Sequence, residues 1–237
     1  MFSYFVFNGV NSRDKGIYLA SAPVIMRGKE RVTSVMPLGR SGSLTLAEGE
    51  DVYEPYTLSV VVRSKDPAPN VYSWLRGEGY VTFSGEPDKK QLARVINQAQ
   101  FKRVSTLLEW WEAQIAFTCQ PLKELLHEPE YTVINGASLV NLGDTAEKPL
   151  FTLQGAYGDL SVAIGTTELR IAGLPQELGG CVIDCDALSV LSYDKTQLIT
   201  NLSSGDFPTV PKHATATLSL TGSHLGTVRV RRRQRWV

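Results

Sequence analysis

Apolar and polar residues alternate with a period of two along much of the chain, and this pattern predicts β-strands. Successive side chains of a strand point to opposite faces of a sheet, so alternation is typical of a strand that buries one face. The segment 213–221 shows the pattern most clearly, because alanines and leucines alternate there with threonines and a serine. Such a strand is buried on one side and solvated on the other, as in an antiparallel sandwich.

Short apolar stretches in the first half are separated by glycine, proline and asparagine, which favours a sheet-rich domain. The strongest stretch is Tyr56–Arg63, which is rich in β-branched and aromatic residues. The strands predicted in this half are Tyr4–Phe7, Gly16–Leu19, Arg31–Pro37, Ser43–Leu46, Tyr56–Arg63 and Tyr80–Phe83.

In the second half the alternation is cleaner and glycines mark most strand ends, which predicts an all-β sandwich. A buried strand at 181–187 precedes an irregular crossover loop that ends at Pro211, with Phe207 as its large apolar anchor. The strands predicted in this half are Leu150–Leu153, Leu160–Ile164, Glu168–Ala172, Cys181–Ala187, Gln197–Ile199, Ala214–Leu220 and Thr227–Arg233.

Two segments of the first half carry helical signals. The segment Pro67–Arg76 predicts a short helix, because prolines stand at its start and Gly77 follows its end. The spacing of apolar residues from Lys89 to Glu112 indicates a helix, whereas the residue types at 103–108 and 113–119 favour strands. The residues alone leave that segment open between helix and strand.

The segment Val24–Glu50 is polar, contains several glycines and carries charges of both signs. A hairpin or arm that reaches out of the domain fits this pattern, and a mobile solvated loop fits it as well. The basic residues of the segment are candidates for contact with a partner or a second copy: Arg27, Lys29, Arg31 and Arg40.

Arginines alternate near the end of the sequence, with Arg232 out of phase and Trp236 on the opposite face. They form either a cationic stripe for an acidic partner or a solvated edge strand whose charges prevent unwanted pairing. The alternating arginines, also candidates for partner contact, are Arg229, Arg231, Arg233 and Arg235.

The composition argues against several classes of protein. The 237 residues include 24 basic and 24 acidic ones, so no net charge recruits nucleic acid or an acidic membrane. No apolar run approaches the roughly 20 residues of a membrane span. Three scattered cysteines without a Cys-x-x-Cys pair indicate a reduced protein that folds in a cytoplasm.

No set of residues has the spacing of a catalytic, cofactor or metal site. Ser12 and Lys15 match a Ser-x-x-Lys motif, but the motifs that accompany it in β-lactamases are missing. Asp184 and Asp186 share a strand face and could hold a cation, yet the glycine and glutamate of an EF-hand loop are absent. The sequence therefore predicts a protein that is not an enzyme and binds no cofactor or metal.

Four sequence blocks follow one another along the chain: Trp74–Gly79, Ala116–Pro121, Val182–Asp186 and Gly205–Pro208. The first two resemble the ring-forming amino-terminal domain of the distal tail proteins of siphophages and prophages, and the last two resemble the galectin-like carboxyl-terminal domain of that family. The family often continues with Pro-Gly-x-Asn where this chain has Pro211–Ala214, so this loop departs from the pattern. The motif residues singled out are Trp74, Gly77, Gly79, Asp184, Asp186, Gly205, Phe207 and Pro208.

The resemblance implies a mainly β fold in two domains. Residues 1–131 would form a β-sandwich-like ring domain with a short helix, and residues 132–237 a galectin-like β-sandwich. It also implies that the segment Ala93–Phe117 is sheet, that the polar arm contacts a neighbouring subunit, and that Trp236 packs back on the first domain.

The function implied by the resemblance is that of a baseplate hub. Members of the family typically form a hexameric ring that joins the tail tube protein to the tail-associated baseplate protein, with a central passage for DNA. The chain would be assembled in the cytoplasm of the bacterial host and would lie at the virion tail tip, without contact to a membrane.

Two other functions compete with the hub. A carbohydrate-binding module for host cell-wall glycan would need an exposed aromatic platform, and a tail-associated hydrolase would need two carboxylates that converge from distant positions. The aromatic residues that the second half offers for a glycan platform are Phe151, Tyr157, Tyr193, Phe207 and Trp236.

Overall fold

The computed structural model describes residues 3–67, 71–104 and 109–237. The chain folds mainly into β-strands, which confirms the mainly β character expected from the sequence. It divides into two compact units, Met1–Leu126 and His127–Trp236. The boundary predicted between residues 131 and 132 lies a few residues further along the chain.

The first unit contains one large curved sheet and a separate hairpin. The large sheet has the strand order β2-β1-β9-β10-β12-β8-β3, with β11 beside β12, and all of these pairs are antiparallel. A short 3-10 helix, Ser12–Lys15, links β2 to β3. The strands are β1 (Phe5–Phe7), β2 (Val10–Asn11), β3 (Ile17–Leu19), β4 (Lys29–Glu30), β5 (Val32–Val35), β6 (Leu44–Ala47), β7 (Tyr53–Glu54), β8 (Tyr56–Ser64), β9 (Glu78–Phe83), β10 (Lys89–Val95), β11 (Lys102–Arg103) and β12 (Trp111–Leu125).

The large sheet buries one face, as the alternation in the sequence predicts. Along β8 the residues Leu58, Val60 and Val62 are buried and the residues between them are exposed. Lys89–Val95 is a strand, so the interpretation favoured by the resemblance is confirmed for this part of the ambiguous segment. Residues 105–108 of that segment lie outside the described residues.

Trp74 and Gly79 hold the start of the chain against the large sheet. The indole Nε1 of Trp74 donates to the carbonyl oxygen of Phe7 at 2.9 Å, and its ring stacks on Phe5 with 5.4 Å between centroids. The backbone N–H of Tyr80 donates to Oδ1 of Asn8 at 3.1 Å. A Cβ atom on Gly79 would collide with that Asn8 side chain, so any larger residue at this position would have to displace Asn8.

The helix predicted at Pro67–Arg76 is wrong for the residues that the structure describes, while residues 68–70 lie outside them. Residues 72–74 form a turn, closed by a hydrogen bond of 2.8 Å from the backbone N–H of Leu75 to the carbonyl of Val71. A single helical turn fixes several backbone dihedrals and gains only one hydrogen bond. A helix of this length is therefore not stable by itself. Gly77 follows with a φ of 72°, which suits glycine at the end of the turn.

The predicted arm is a long hairpin. β4 pairs with β7 at its base, and β5 pairs with β6 towards its tip, in register Val32↔Ala47 to Val35↔Leu44. At the base, a Cβ atom on Gly28 would stand 2.7 Å from Cβ of Pro121 in β12, so glycine permits this close approach. The segment Val24–Glu50 is therefore hairpin over most of its length, which the residue pattern had left open.

The second unit is a sandwich of two five-stranded antiparallel sheets. Their orders are β13-β22-β15-β18-β19 and β14-β21-β16-β17-β20. Two 3-10 helices, Gln176–Leu178 and Thr200–Leu202, lie in its connections. The strands are β13 (Glu130–Val133), β14 (Ser138–Val140), β15 (Leu150–Gln154), β16 (Tyr157–Ile164), β17 (Thr167–Leu174), β18 (Gly180–Asp184), β19 (Ser189–Ser192), β20 (Ser203–Gly205), β21 (Thr215–His224), β22 (Thr227–Arg231) and β23 (Arg235–Trp236).

Both sheets contribute to one core, in which Phe151, Ile183 and Leu218 are fully buried. The crossover loop closes that core because Phe207 packs against it and Pro208 is buried. A Cβ atom on Gly205 would collide with the carbonyl oxygen of Glu168 on the neighbouring strand β17, so this motif position also requires glycine.

One strand predicted in the second half is wrong. Gln197–Ile199 makes only an isolated bridge, Leu191↔Leu198, because a 3-10 helix begins at Thr200 and ends the extended segment. The strands β13, β14, β19 and β20, which the pattern did not identify as separate elements, are short, between three and four residues.

We expect Gly79→Ala to destabilise the first unit by about 1–3 kcal/mol, because the added methyl group displaces Asn8 from the N–H of Tyr80. Urea unfolding followed by tryptophan fluorescence measures the change. Gly85→Ala is the matched control, because a Cβ atom there meets nothing within 4 Å. Equal unfolding midpoints for the two variants would contradict the role given to Gly79.

Candidate partner-contact surfaces

The basic residues predicted for partner contact in the arm are all exposed. Nε of Arg31 forms an ion pair of 2.7 Å with Oε2 of Glu48 across the hairpin, and Oγ1 of Thr33 donates to Oε1 of the same glutamate. Arg31 therefore stiffens the hairpin, while Arg27, Lys29 and Arg40 are displayed on its surface.

The arm also displays an apolar surface that the sequence analysis missed, and we call it the arm face. Val35 and Leu44 lie opposite each other in the register and Leu46 lies opposite Thr33, so all three share one side of the hairpin. Met36 and Leu38 follow at the tip, where Leu38 is fully exposed at 103%. The signal was present in the apolar residues of the predicted strands Arg31–Pro37 and Ser43–Leu46, but the sequence analysis considered only the basic residues of this segment for partner contact.

Two of the carboxyl-terminal arginines form ion pairs inside the second unit. The guanidinium of Arg233 donates to both carboxylate oxygens of Asp184 at 2.6 and 3.0 Å, and that of Arg235 donates to both of Asp186 at 3.2 and 2.8 Å. The two aspartates thus hold the carboxyl-terminal residues of the second unit, and each faces a guanidinium group where the sequence analysis considered a metal cation. Arg229 donates to Oε1 of Gln154 at 3.3 Å, and Arg231 is exposed.

A third pair involves Arg232, the arginine that is out of phase with the others. Its guanidinium makes a two-point ion pair with the carboxylate of Glu147, which is fully buried at 0% exposure. Nη2 of Arg232 also donates to the carbonyl oxygen of Val140 at 2.8 Å, and Nε2 of Gln234 donates to the same oxygen. The backbone of Glu147 pairs with Val210, so this contact joins distant parts of the second unit.

These contacts change the acidity of the two motif aspartates. Burial raises the pKa of Asp184, but the hydrogen bonds from Arg233 and from the backbone N–H groups of Ala187 and Asp186 outweigh it, and the pKa is lowered. The hydrogen bond from Arg235 lowers the pKa of Asp186 against the smaller effect of burial. Both carboxylates are ionised when the unit is folded near neutral pH.

Among the described residues, the possible metal ligands do not cluster and the cysteines are buried. No group of three or more histidine, cysteine, aspartate or glutamate side chains gathers among them as a metal site would require. Burial raises the pKa of Cys119, Cys181 and Cys185 to about 12, so their thiols stay protonated. Within the same described ranges, no helix is long and apolar enough to cross a membrane.

Two of the aromatic residues considered for a glycan platform are not accessible for that role. Phe151 is fully buried, and Phe207 packs against the core of the sandwich. Tyr157 stacks on the ring of His224 at 4.0 Å between centroids, and Tyr193 and Trp236 are half-buried.

We expect Arg232→Met to destabilise the second unit by about 3–5 kcal/mol, because it leaves the buried carboxylate of Glu147 without its guanidinium. Thermal and urea unfolding measure the loss. The double variant Arg232→Met with Glu147→Met should recover much of it. Arg170→Met is the control, since its pair with Glu168 is on the surface and its loss should change stability little. An Arg232→Met protein as stable as wild type would contradict this role.

The lowered pKa values of Asp184 and Asp186 predict how stability depends on pH. A carboxyl group whose pKa is lower in the folded state stabilises above its unfolded value near 4, and this contribution disappears as the pH falls through the folded pKa. The double variant Asp184→Asn, Asp186→Asn should therefore lose less stability than wild type between pH 5 and pH 2. Unfolding midpoints across that range measure the difference, and exposed Asp206→Asn should follow the wild-type curve.

Sequence comparisons find no match for the chain: no family model matches it, and no curated protein does. A solved structure is similar over the full length of both chains, with a TM-score of 0.77 and 14% sequence identity. It is the crystal structure of the SPP1 Dit (gp 19.1) protein, described as a paradigm of the hub adsorption apparatus in phages that infect Gram-positive bacteria. Similarity at this level of identity concerns the fold, and the chain shares the fold of the SPP1 Dit protein from end to end.

Proposed function

We propose that the chain is a distal tail protein, a structural hub at the tip of a siphophage or prophage tail. The observation that carries this proposal is the similarity to the SPP1 Dit protein, which covers 100% of both chains at a TM-score of 0.77. Because both units are included, the similarity is not that of one common β-sandwich shared by unrelated proteins.

The ordered motifs support the same proposal independently. Trp74 and Gly79 position the first strand of the first unit, and Gly205 and Phe207 close the core of the second. We infer that residues 1–131 form the ring domain and residues 132–237 a galectin-like domain.

The hub that we propose is a closed hexameric ring. It joins the tail tube protein to the tail-associated baseplate protein, lets DNA pass through its centre, and is assembled in the host cytoplasm before it reaches the virion tail tip. Its role is structural and not enzymatic. A ring of identical copies requires two different patches on each subunit, one for each neighbour.

The arm face is the best candidate for one of these patches. A hairpin of two strands is marginally stable by itself and gains stability when another surface covers its apolar side. Leu38 and Met36, at 103% and 84% exposure, leave that apolar side in solvent in the single chain. A neighbouring subunit that covers the arm face removes this cost, and the exposed cations Arg27, Lys29 and Arg40 are placed to add polar contacts.

We expect the purified chain to form a discrete ring, visible by negative-stain microscopy and as a single oligomer in light scattering. The variant Leu38→Asp with Leu44→Asp should dissociate into folded monomers, since the charges prevent burial of the arm face. Leu198→Asp, at a leucine 67% exposed in the second unit, is the matched control and should leave the ring intact.

Two outcomes separate the parts of this proposal. A wild-type chain that stays monomeric at every concentration would contradict the ring itself. If the variant Leu38→Asp with Leu44→Asp still forms the ring, the ring proposal stands, but the arm face is not the contact between its subunits.

A further inference from the structure

A groove lies on the outer face of the large sheet in the first unit, where the loop between β10 and β11 passes beside β12. Val61 and Gln114, which are opposite each other in the register of β8 and β12, form its floor, and residues between 97 and 104 form one side. Its volume of about 480 Å³ is within the range of pockets that hold small ligands. The groove therefore has room for an organic molecule.

The loop beside the groove is held in place at three points. The side-chain amide of Asn97 donates to the carbonyl oxygen of Gln114 at 2.7 Å, and its Oδ1 accepts from the backbone N–H of Ala116 at 2.7 Å. The hydroxyl of Tyr72 donates to the carbonyl oxygen of Ala99 at 2.8 Å, and β11 pairs with the start of β12. The groove is thus already formed in the single chain.

Three glutamine side chains line the groove. Ala99 is buried, so its neighbours Gln98 and Gln100 are on the exposed side of the loop, and Gln114 is exposed on β12. In the part of the chain that the structure describes, these three carboxamides make no hydrogen bond. Each carboxamide offers both donors and an acceptor. A ligand with several hydroxyl groups, which also donate and accept, matches this lining.

The charge of the groove favours an anionic group on that ligand. The carboxylate of Glu112 is already paired with Nε of Arg63 at 2.9 Å. Lys102 is exposed beside it, and among the described residues no carboxylate forms an ion pair with its ammonium group. An anionic group at this end would accept a charge-assisted hydrogen bond from Lys102.

Two other classes of ligand do not match these features. A peptide that binds as an added strand needs a free strand edge, but the edge of β12 beside the groove is occupied by Asn97 and by β11. A nucleic acid strand needs aromatic side chains that stack on its bases, and no aromatic residue of the described ranges lines the groove. Val61 and Val104, exposed at 37% and 50%, can instead cover the C–H side of a sugar ring.

We propose that this groove binds a saccharide that carries a phosphate or a carboxylate group. The carboxamides of the three glutamines bind its hydroxyl groups, and the ammonium group of Lys102 binds the anion. All the residues that carry this inference lie in the first unit, so it does not depend on the proposed ring.

Calorimetric titration of the full chain with glucose-6-phosphate and with glucuronate tests the proposal. At least one of the two should bind saturably, and the tighter of them identifies the anionic group. Glucose lacks the charge, and inorganic phosphate lacks the hydroxyl groups of the sugar. Each of these should therefore bind at least about tenfold more weakly.

Two variants locate the site. Lys102→Met keeps the hydrocarbon of the side chain and removes its charge, so a charged sugar should bind only as weakly as glucose. Gln98→Ala with Gln100→Ala removes two carboxamides from the exposed side of the loop and should weaken binding at least about tenfold. Lys15→Met and Gln120→Ala, at exposed positions of the same unit that do not line the groove, are the matched controls and should bind as wild type.

Each result decides the question. The proposal is overturned if neither charged sugar binds saturably, if glucose or inorganic phosphate binds as tightly as they do, or if either groove variant binds as wild type. All the substituted side chains are exposed, so the variants should fold. Circular dichroism spectra equal to that of wild type then assign a loss of affinity to the groove.

Discussion

Most strands of this chain carry an apolar face, and the fold depends on covering these faces so that their side chains are removed from water. The large sheet of the first unit and the two sheets of the second cover theirs with separate apolar cores. The hairpin of β5 and β6 does not, because its leucines have no sheet or core of their own to cover them. The two units are thus each folded around a core, and the arm face stays exposed in the single chain.

The three ion pairs near the end of the second unit illustrate how charge can serve structure. Guanidinium groups of Arg232, Arg233 and Arg235 each meet one carboxylate with two hydrogen bonds, a geometry that lysine cannot reproduce. A stripe of arginines in a sequence therefore does not by itself indicate a binding surface. Here Arg233 and Arg235 form ion pairs within the second unit. The contact role predicted for Arg229, Arg231, Arg233 and Arg235 stays a prediction.

The sequence predicted the fold class and most long strands, because alternation survives wherever a strand buries one face, as in β8 and β21. The pattern was ambiguous at β10, where Gln91 and Ala93 are buried and Leu92 is only half-buried. The hydrophobicity of these residues therefore does not indicate which face of the strand is buried. The sequence could not identify the partner of Glu147, since Arg232 is 85 residues away and the pairing follows from the folded topology. The motif residues Trp74, Gly79, Gly205 and Phe207 stabilise the two folded units. They therefore helped to predict the fold, but they do not indicate which surfaces contact a partner.

The burial of the three cysteines has a consequence for the lifetime of the protein. The thiolate is the form that reacts with oxidants and attacks disulfides, and with pKa values of about 12 almost none of it exists at neutral pH. As long as both units stay closed, the three buried cysteines resist disulfide formation and oxidation even in an oxidising environment. Chemical durability is thus a by-product of close packing, and it would be lost first in any copy that opens.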